Sequence, residues 1–403
     1  MKLLKKISFT FILLLLSYCV LLTLSFCIPN KMIESKVDTS LQMIEKEGMY
    51  PTINEGNDKS TKLDNFTDHL MIRKTMARPE LSPLENAMTV DGYPRYWHGY
   101  LVFLRPMLMF MSLGNLRMIY ATVLFLLLGL TFYFLIKRSD IFFAISFLIS
   151  LSIANVATFF FSMQFSNILI VTLLATLLLL AKIEWFQTKT NLFLYFFIIG
   201  SVANFFDLLT IPLVSWGIPI TIFSYVTNKY TTDKKESLGK QLETLVGTGV
   251  FWGIGYGLTW FFKWAISSVI LRQNVIKDAI KQILFRTEGN NDYPLARVDM
   301  LKLNVDLMYT NTTLLILGLT CVFFLYYSFK KRGFQFSWGF ILAMVFIALT
   351  PYIWYNVLAN HSQIHFWFTY RVQILTTFAL LSIFAFLIPA NPLQETTYSN
   401  ENK

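Results

Sequence analysis

Charge is what this chain has least of: 14% of its 403 residues are Asp, Glu, Lys or Arg, against 55% hydrophobic residues and 17% aromatics. A soluble domain of this length cannot cover that much apolar surface, so the composition excludes that class and leaves an integral membrane protein. Cysteine is nearly absent as well. Cys19, Cys27 and Cys321 lie in or beside apolar segments, with neither metal-ligand spacing nor a disulfide framework, which argues against thiol redox and cysteine–zinc chemistry. There is no glycine-rich phosphate loop, no dinucleotide fingerprint and no His-Glu-x-x-His motif. The loops expected inside are too short for a nucleotide-binding domain, so the energy for any chemistry must already lie outside, or in the membrane.

What is present is a series of apolar runs, at roughly 7–28, 116–136, 141–160, 166–182, 191–207, 209–227, 244–264, 312–329, 335–355 and 372–389. Each approaches the length that crosses a hydrocarbon core of about 30 Å. They predict an all-α polytopic membrane protein with about ten transmembrane helices, forming one membrane domain over 1–403. The first run follows Lys2, Lys5 and Lys6 but ends in Ser25-Phe26-Cys27, a poor cleavage pattern, and reads as an uncleaved signal anchor. The weakly separated pairs around Gln164 and Asp207 leave open whether those segments cross fully or are re-entrant.

The net charge of +10 would suggest nucleic acid in a soluble protein, but here the basic residues sit in short loops between spans. Lys137-Arg138, Lys182 with Lys189, Lys229 with Lys234, Lys235 and Lys240, and Lys330-Lys331-Arg332 all fall on one side, which the positive-inside rule makes cytoplasmic. Both termini, including a tail over 390–403, are then cytoplasmic and nucleic-acid binding is excluded. The expected location is the cell membrane, with the active face extracytoplasmic. That face receives a large first loop (29–115), an outer loop over 265–311 and a short one over 356–371, around a helical bundle over 116–389.

The reactive-looking residues cluster on this outer side, including all four histidines. The stretch Trp97 to Met111 is apolar, carries Arg105 and Pro106, and predicts an interfacial amphipathic helix with its aromatics at headgroup level among the membrane lipids. Just before it, Val-Asp91-Gly-Tyr-Pro is a turn in which Asp91 could simply cap the backbone. Its neighbours Arg95, His98 and Arg105 change that reading, because arginine suits phosphate and a carboxylate beside it can take a proton from an attacking hydroxyl. In the last outer loop His361 and His365 stand four apart, followed by Arg371. They could chelate zinc, but no third ligand is near, so a divalent metal is not favoured over headgroup or phosphate recognition. Lys263 reads either as a snorkelling lysine or a phosphate contact. Arg286 interrupts an apolar run, whereas Lys277-Asp278 and Lys281 read as the solvated face of an amphipathic helix. Asp207 is an acid embedded in apolar sequence, a functional position or a helix cap.

This pattern resembles the GT-C superfamily of membrane glycosyltransferases: a multispanning helical body, a large first outer loop with an amphipathic helix and an acidic residue, and basic residues from later loops. The resemblance implies a polyprenyl-phosphate-linked sugar donor used on the outer face, with transfer to a glycan, lipid or protein acceptor. By the same analogy Asp91 is the general base, and Arg95, Arg105, Arg286 and Arg371 are candidates for the donor phosphate. Asp91 is followed by Gly92 where many members carry paired acids, so a metal-assisted variant does not follow from it. The Phe-, Lys- and Asn-rich composition resembles that of low-GC bacteria, which makes the acceptor a cell-envelope polymer and sets aside the sequon Asn65-Phe-Thr67. A transporter or flippase of lipid-linked sugar would instead place ionisable or helix-breaking residues at mid-depth. A non-catalytic envelope-polymer assembly protein would use the first loop for docking.

Overall fold

A computed structural model describes residues 2–54, 58–230, 238–331 and 333–389. The expected tail 390–403, with Lys234, Lys235 and Arg332, lies outside the described residues. In chain order the helices are α1 (Lys2–Phe26), α2 (Glu34–Glu47), α3 (Asn65–Arg73), α4 (Pro83–Thr89), α5 (Leu101–Leu108), α6 (Leu113–Arg138), α7 (Ile141–Ile153), α8 (Met163–Ala181), α9 (Ile183–Phe186) and α10 (Lys189–Phe206). They continue as α11 (Val214–Tyr230), α12 (Leu238–Leu271), α13 (Val275–Glu288), α14 (Arg297–Met308), α15 (Asn311–Lys330), α16 (Trp338–Val357), α17 (Ala359–Ile364), α18 (Phe366–Thr369) and α19 (Ile374–Leu387).

Among the described residues, eight helical stretches are long and apolar enough to cross a membrane: most of α1, then α6, α8, α10, α12, α15, α16 and the run Phe366–Leu387. The protein is thus an all-helical, multi-pass membrane architecture. Two of the ten expected runs are built differently. The run over 141–160 breaks after Ile153, where Asn155 turns left-handed (φ 53) into the 3-10 turn Val156–Phe160. The run over 209–227 begins as a helix only at Val214, because Asp207 ends α10 and a turn follows. Both still join the two ends of the bundle. Asp140, at the start of α7, pairs with Lys229 near the end of α11, while Asn155 reaches Ser60 of the first loop.

The described members of the basic clusters share the end opposite that loop. Arg138 pairs with Glu184, Lys189 with Glu243, and Lys229 is buried against Asp140, Tyr225 and the Ala385 carbonyl. The last of these is fully partnered, as a buried charge must be.

The first loop folds into a cap. Helices α2 to α5 share a hydrophobic core with the end of α1, through Ile33, Val37, Ile44, Met71, Trp97 and Leu104 against Tyr18, Leu22 and Phe26. Local signals explain the elements: Ser82 and Glu85 form a reciprocal capping box with Pro83 at the first turn of α4. Of the helix expected over Trp97–Met111, Leu101–Leu108 is helical, and one side of the stretch packs into the protein. Trp97, Tyr100, Leu101 and Leu104 are buried, and Phe103 and Phe110 are the strongly exposed large side chains of that stretch. Two polar anchors draw it inward: the Trp97 indole donates to the Thr259 carbonyl, and Arg105 donates to the carbonyls of Ser25 and Ile28.

The closest helix pair is α10 with α12. A Cβ on Gly200 would lie 2.0 Å from the Trp252 carbonyl oxygen, and one on Gly255 would lie 2.1 Å from that of Phe197. Small residues let the two backbones touch, the usual device of membrane helix pairs.

Candidate functional site

Asp91 sits on the most unusual backbone among the described residues. Val90, Asp91 and Gly92 are three successive residues at positive φ (41, 50 and 77°), and His98 follows at 55°. Only glycine adopts this region freely; a β-branched valine there is an outlier, and each non-glycine costs about 1–2 kcal/mol. Such strain persists where surrounding contacts over-determine it, and it clusters at functional sites. Asp91 Oδ1 accepts from Arg78 Nε and Nη2 at 3.1 and 3.0 Å, and its side chain stays about one-third exposed at 31%. Oδ2 has no hydrogen-bond partner among the described residues. Lys74 donates to the Val90 and Asp91 carbonyls, and burial pushes its pKa down while the Asp91 carboxylate opposes that shift. Arg73, Arg78 and Arg95 also act on Lys74 electrostatically, and of these Arg78 is bonded to the Asp91 carboxylate.

The remaining expected residues are dispersed, and most are engaged within the protein. Arg95 pairs with Asp278 of α13 and stacks on Tyr93, while its carbonyl accepts from the Trp260 and Trp264 indoles. Asp278 is therefore a partner, where the sequence pattern suggested only a solvated face. His98 is buried between Tyr100 Oη and the Tyr93 carbonyl, with its pKa held well below the usual range by burial and by nearby Lys263. Arg105 closes the carbonyl end of α1, a favourable position for a cation. Lys263 does not snorkel: it is fully buried, 3.1 and 3.0 Å from the Ala87 and Met88 carbonyl oxygens, with Trp97 under its ammonium. Arg371 is 1% exposed, donates to the Ser60 carbonyl and lies among Phe159, Phe165 and Tyr370, with Nε and Nη1 lacking a hydrogen-bond partner among the described residues.

A second group forms where α10 and α17 meet the outer part of α13. Arg286 Nη1 lies 2.6 Å from His361 Nδ1, and His361 Nε2 lies 2.9 Å from the Leu209 carbonyl oxygen. An arginine can only donate, so Nδ1 accepts and the proton is assigned to Nε2. Both ring nitrogens are thereby in use, leaving no lone pair for a metal. Burial first, then the Arg286 charge, push the His361 pKa well down and the His365 pKa down to about 4. Asp207 accepts the Thr210 N–H on both oxygens, and burial raises its carboxyl to about 7 despite those bonds. Tyr96 Oη, buried nearby, has no hydrogen-bond partner among the described residues.

Sequence reasoning missed the charges that seat the cap. Asp68 accepts from the Met163 and Gln164 amides and so caps α8 from another segment. Arg117 binds Glu47 and Asn65, burying the sequon asparagine completely. Burial raises Asp68 to about 7 and Asp64 to about 6. It also passed over Arg73, Lys74 and Arg78, whose only local signal was a run of basic residues spaced on the polar half of the loop.

Beside the cap lies a groove of about 690 Å³ between α5, α6, α8 and α10. Its wall includes Phe103, Met107, Val123, Leu174, Val202 and Phe206, with the Tyr120–Asn167 hydrogen bond as its polar feature. From Asn167 to Leu178 it follows α8 for roughly 16 Å. Asp91 and the groove wall are joined by the segment that begins at the strained turn and ends in α5. Compared with known proteins, the chain matches no family model, no curated protein and no solved structure.

Proposed function

We propose that this protein is a membrane glycosyltransferase, moving a sugar from a polyprenyl-phosphate donor to a cell-envelope acceptor. The observation that carries the reading is the Asp91 carboxylate, one-third exposed on a strained turn, with Oδ1 bound by Arg78 and Oδ2 without a hydrogen-bond partner among the described residues. A base next to an arginine matches the two demands of this transfer. The carboxylate takes the proton of the acceptor hydroxyl while that oxygen attacks the anomeric carbon. The bond from that carbon to the phosphate oxygen breaks, and the leaving polyprenyl phosphate keeps the electron pair, its charge met by the half-exposed Arg78 guanidinium. The apolar groove supports a lipid-linked donor, because a hydrocarbon chain can lie along it while the phosphate stays at the cap. On this reading the cap end is extracytoplasmic, the membrane is the cell membrane, and the basic end is cytoplasmic.

The experiment is transfer of radiolabelled sugar from a panel of polyprenyl-phosphate sugars by the reconstituted protein, wild type against Asp91→Asn. Transfer that disappears in the variant, with insertion intact, supports the reading. Absence of transfer by the wild type across a broad donor and acceptor panel would move the assignment to transport or assembly.

A further inference from the structure

The strained turn is held from both sides by lysines. Lys74, at the end of α3, places Nζ 3.2 and 3.1 Å from the Val90 and Asp91 carbonyl oxygens. Lys263, deep in α12, places Nζ 3.1 and 3.0 Å from those of Ala87 and Met88. The two ammonium groups thus grip the carbonyls immediately before and within the left-handed segment. Ser267, one turn further along α12, adds a bond of 3.3 Å to the Met88 carbonyl. The same helix fixes the chain beyond the turn, through the Thr259 carbonyl to Trp97 and the Trp260 and Trp264 indoles to the Arg95 carbonyl.

We infer that Lys74 and Lys263 are positioning residues: they hold the Val90–Asp91–Gly92 turn in its left-handed form, with α12 as the rigid bed that aims the Asp91 carboxylate. The inference rests on the proposed role of Asp91. A lysine buried at 0% exposure is expensive unless its donors are used, and here they go to carbonyls at the end of a short helix that accept from no backbone amide among the described residues. Its site also belongs to a helix in backbone contact with α10, at Gly200 and Gly255. A functional carboxylate needs such support, because a displacement of about 1 Å costs much of its effect.

The test combines kinetics with hydrogen exchange on the full-length protein in detergent micelles, comparing wild type, Lys263→Met, Lys74→Met and Lys263→Arg. The amides of Gly92 and Tyr93 are bonded to Thr89, at 3.2 Å to its hydroxyl and 2.8 Å to its carbonyl, so they report directly on the turn. Both methionine variants are expected to speed exchange at these amides by about tenfold or more, a loosening that costs 1.4 kcal/mol of local closure. In a transfer assay kcat falls by a similar factor with the donor KM unchanged, Lys263→Arg recovers part of it, and in the Asp91→Asn background neither methionine variant lowers the residual rate further. Unchanged exchange at Gly92 and Tyr93 in both variants would overturn the inference, and so would an added loss of rate on top of Asp91→Asn. If the wild type transfers no sugar while exchange still rises, the glycosyltransferase reading fails and the lysine clamp stands. Lys74→Met makes the same measurement from the cap side should Lys263→Met not accumulate in membranes.

Discussion

Arg286 and His361 meet at 2.6 Å, guanidinium nitrogen to Nδ1, although their positions are 75 residues apart. The contact works only while His361 is neutral, since a protonated ring would present a donor to a donor. Burial and the Arg286 charge both favour that neutral form. Replacing His361 by Asn keeps an acceptor for Arg286 in a smaller, neutral side chain, whereas Lys would set two cations against each other. The expected order of thermal stability is wild type, then Asn, then Lys well below, with a loss of about 3–5 kcal/mol for the last. A melting series in detergent checks it, and a His361→Lys variant as stable as wild type would remove the pairing from the account.

The pH dependence of stability has two opposed parts. Asp68 and Asp207 are raised to about 7, so between about pH 4 and 7 the folded chain holds protons that the unfolded chain has released. Each such group makes stability fall as pH rises through that window, by up to about 1.4 kcal/mol per pH unit. His98 and His361, with lowered values, act in the opposite direction below about pH 6.5. Asp68→Asn removes one falling contribution. Its melting temperature relative to wild type is expected to climb from pH 4 to pH 7; a constant difference would show that Asp68 stays ionised throughout.

Glycines within α12 separate packing from composition. A methyl group at Gly255 meets the Phe197 carbonyl at 2.1 Å, while one at Gly253 or Gly257 meets nothing within 4 Å. Gly255→Ala and Gly200→Ala are expected to lower yield of the folded protein sharply, through overpacking of about 1–3 kcal/mol or more. Gly253→Ala and Gly257→Ala are expected to match or slightly exceed wild type, because alanine is the better helix former. Fluorescence-detected size exclusion of the four variants distinguishes these outcomes.

Arg105 is expected to stabilise the junction of cap and bundle without touching substrate. Arg105→Met leaves the Ser25 and Ile28 carbonyls without their donor and should cost about 1–3 kcal/mol. Transfer per folded molecule stays at the wild-type level. A selective loss of transfer at unchanged melting temperature would return Arg105 to the phosphate site.

Filling the groove tests the lipid side of the proposal. Leu174 and Val202 line it from facing helices, so Val202→Trp narrows it without altering a polar contact. The expected result is a raised KM for long-chain donors and a smaller change for donors with truncated chains. Equal KM changes for both chain lengths would detach the groove from donor binding.

Much of the architecture was legible in the chain because the bilayer is a demanding solvent: every backbone amide must be satisfied internally, so long apolar runs become helices. Runs such as 312–329 and 335–355 needed no tertiary information, and the basic residues at Arg138, Lys189 and Lys330 already shared one end. The segment over 141–160 was less legible, since its break depends on a left-handed Asn155 held by Ser60 and Tyr370 of distant segments. The same applied to the site. The turn at Asp91 was visible in Asp-Gly, and its strain was not, because the carbonyls that stabilise it are bound by Lys74 and Lys263. Arg95, Arg105 and Lys263 looked like free cations on the outer side, and folding gave each an internal partner.

What the sequence by itself determined is therefore the class of structure, a multi-pass helical bundle with one basic end and a large first loop, because apolar length and charge placement are properties of the linear chain. Only the tertiary structure decided which charges stay available. Partnering of buried ions is a three-dimensional matter, set by which carbonyl or carboxylate lies within about 3 Å of each donor once the helices pack, and no spacing along the chain encodes it.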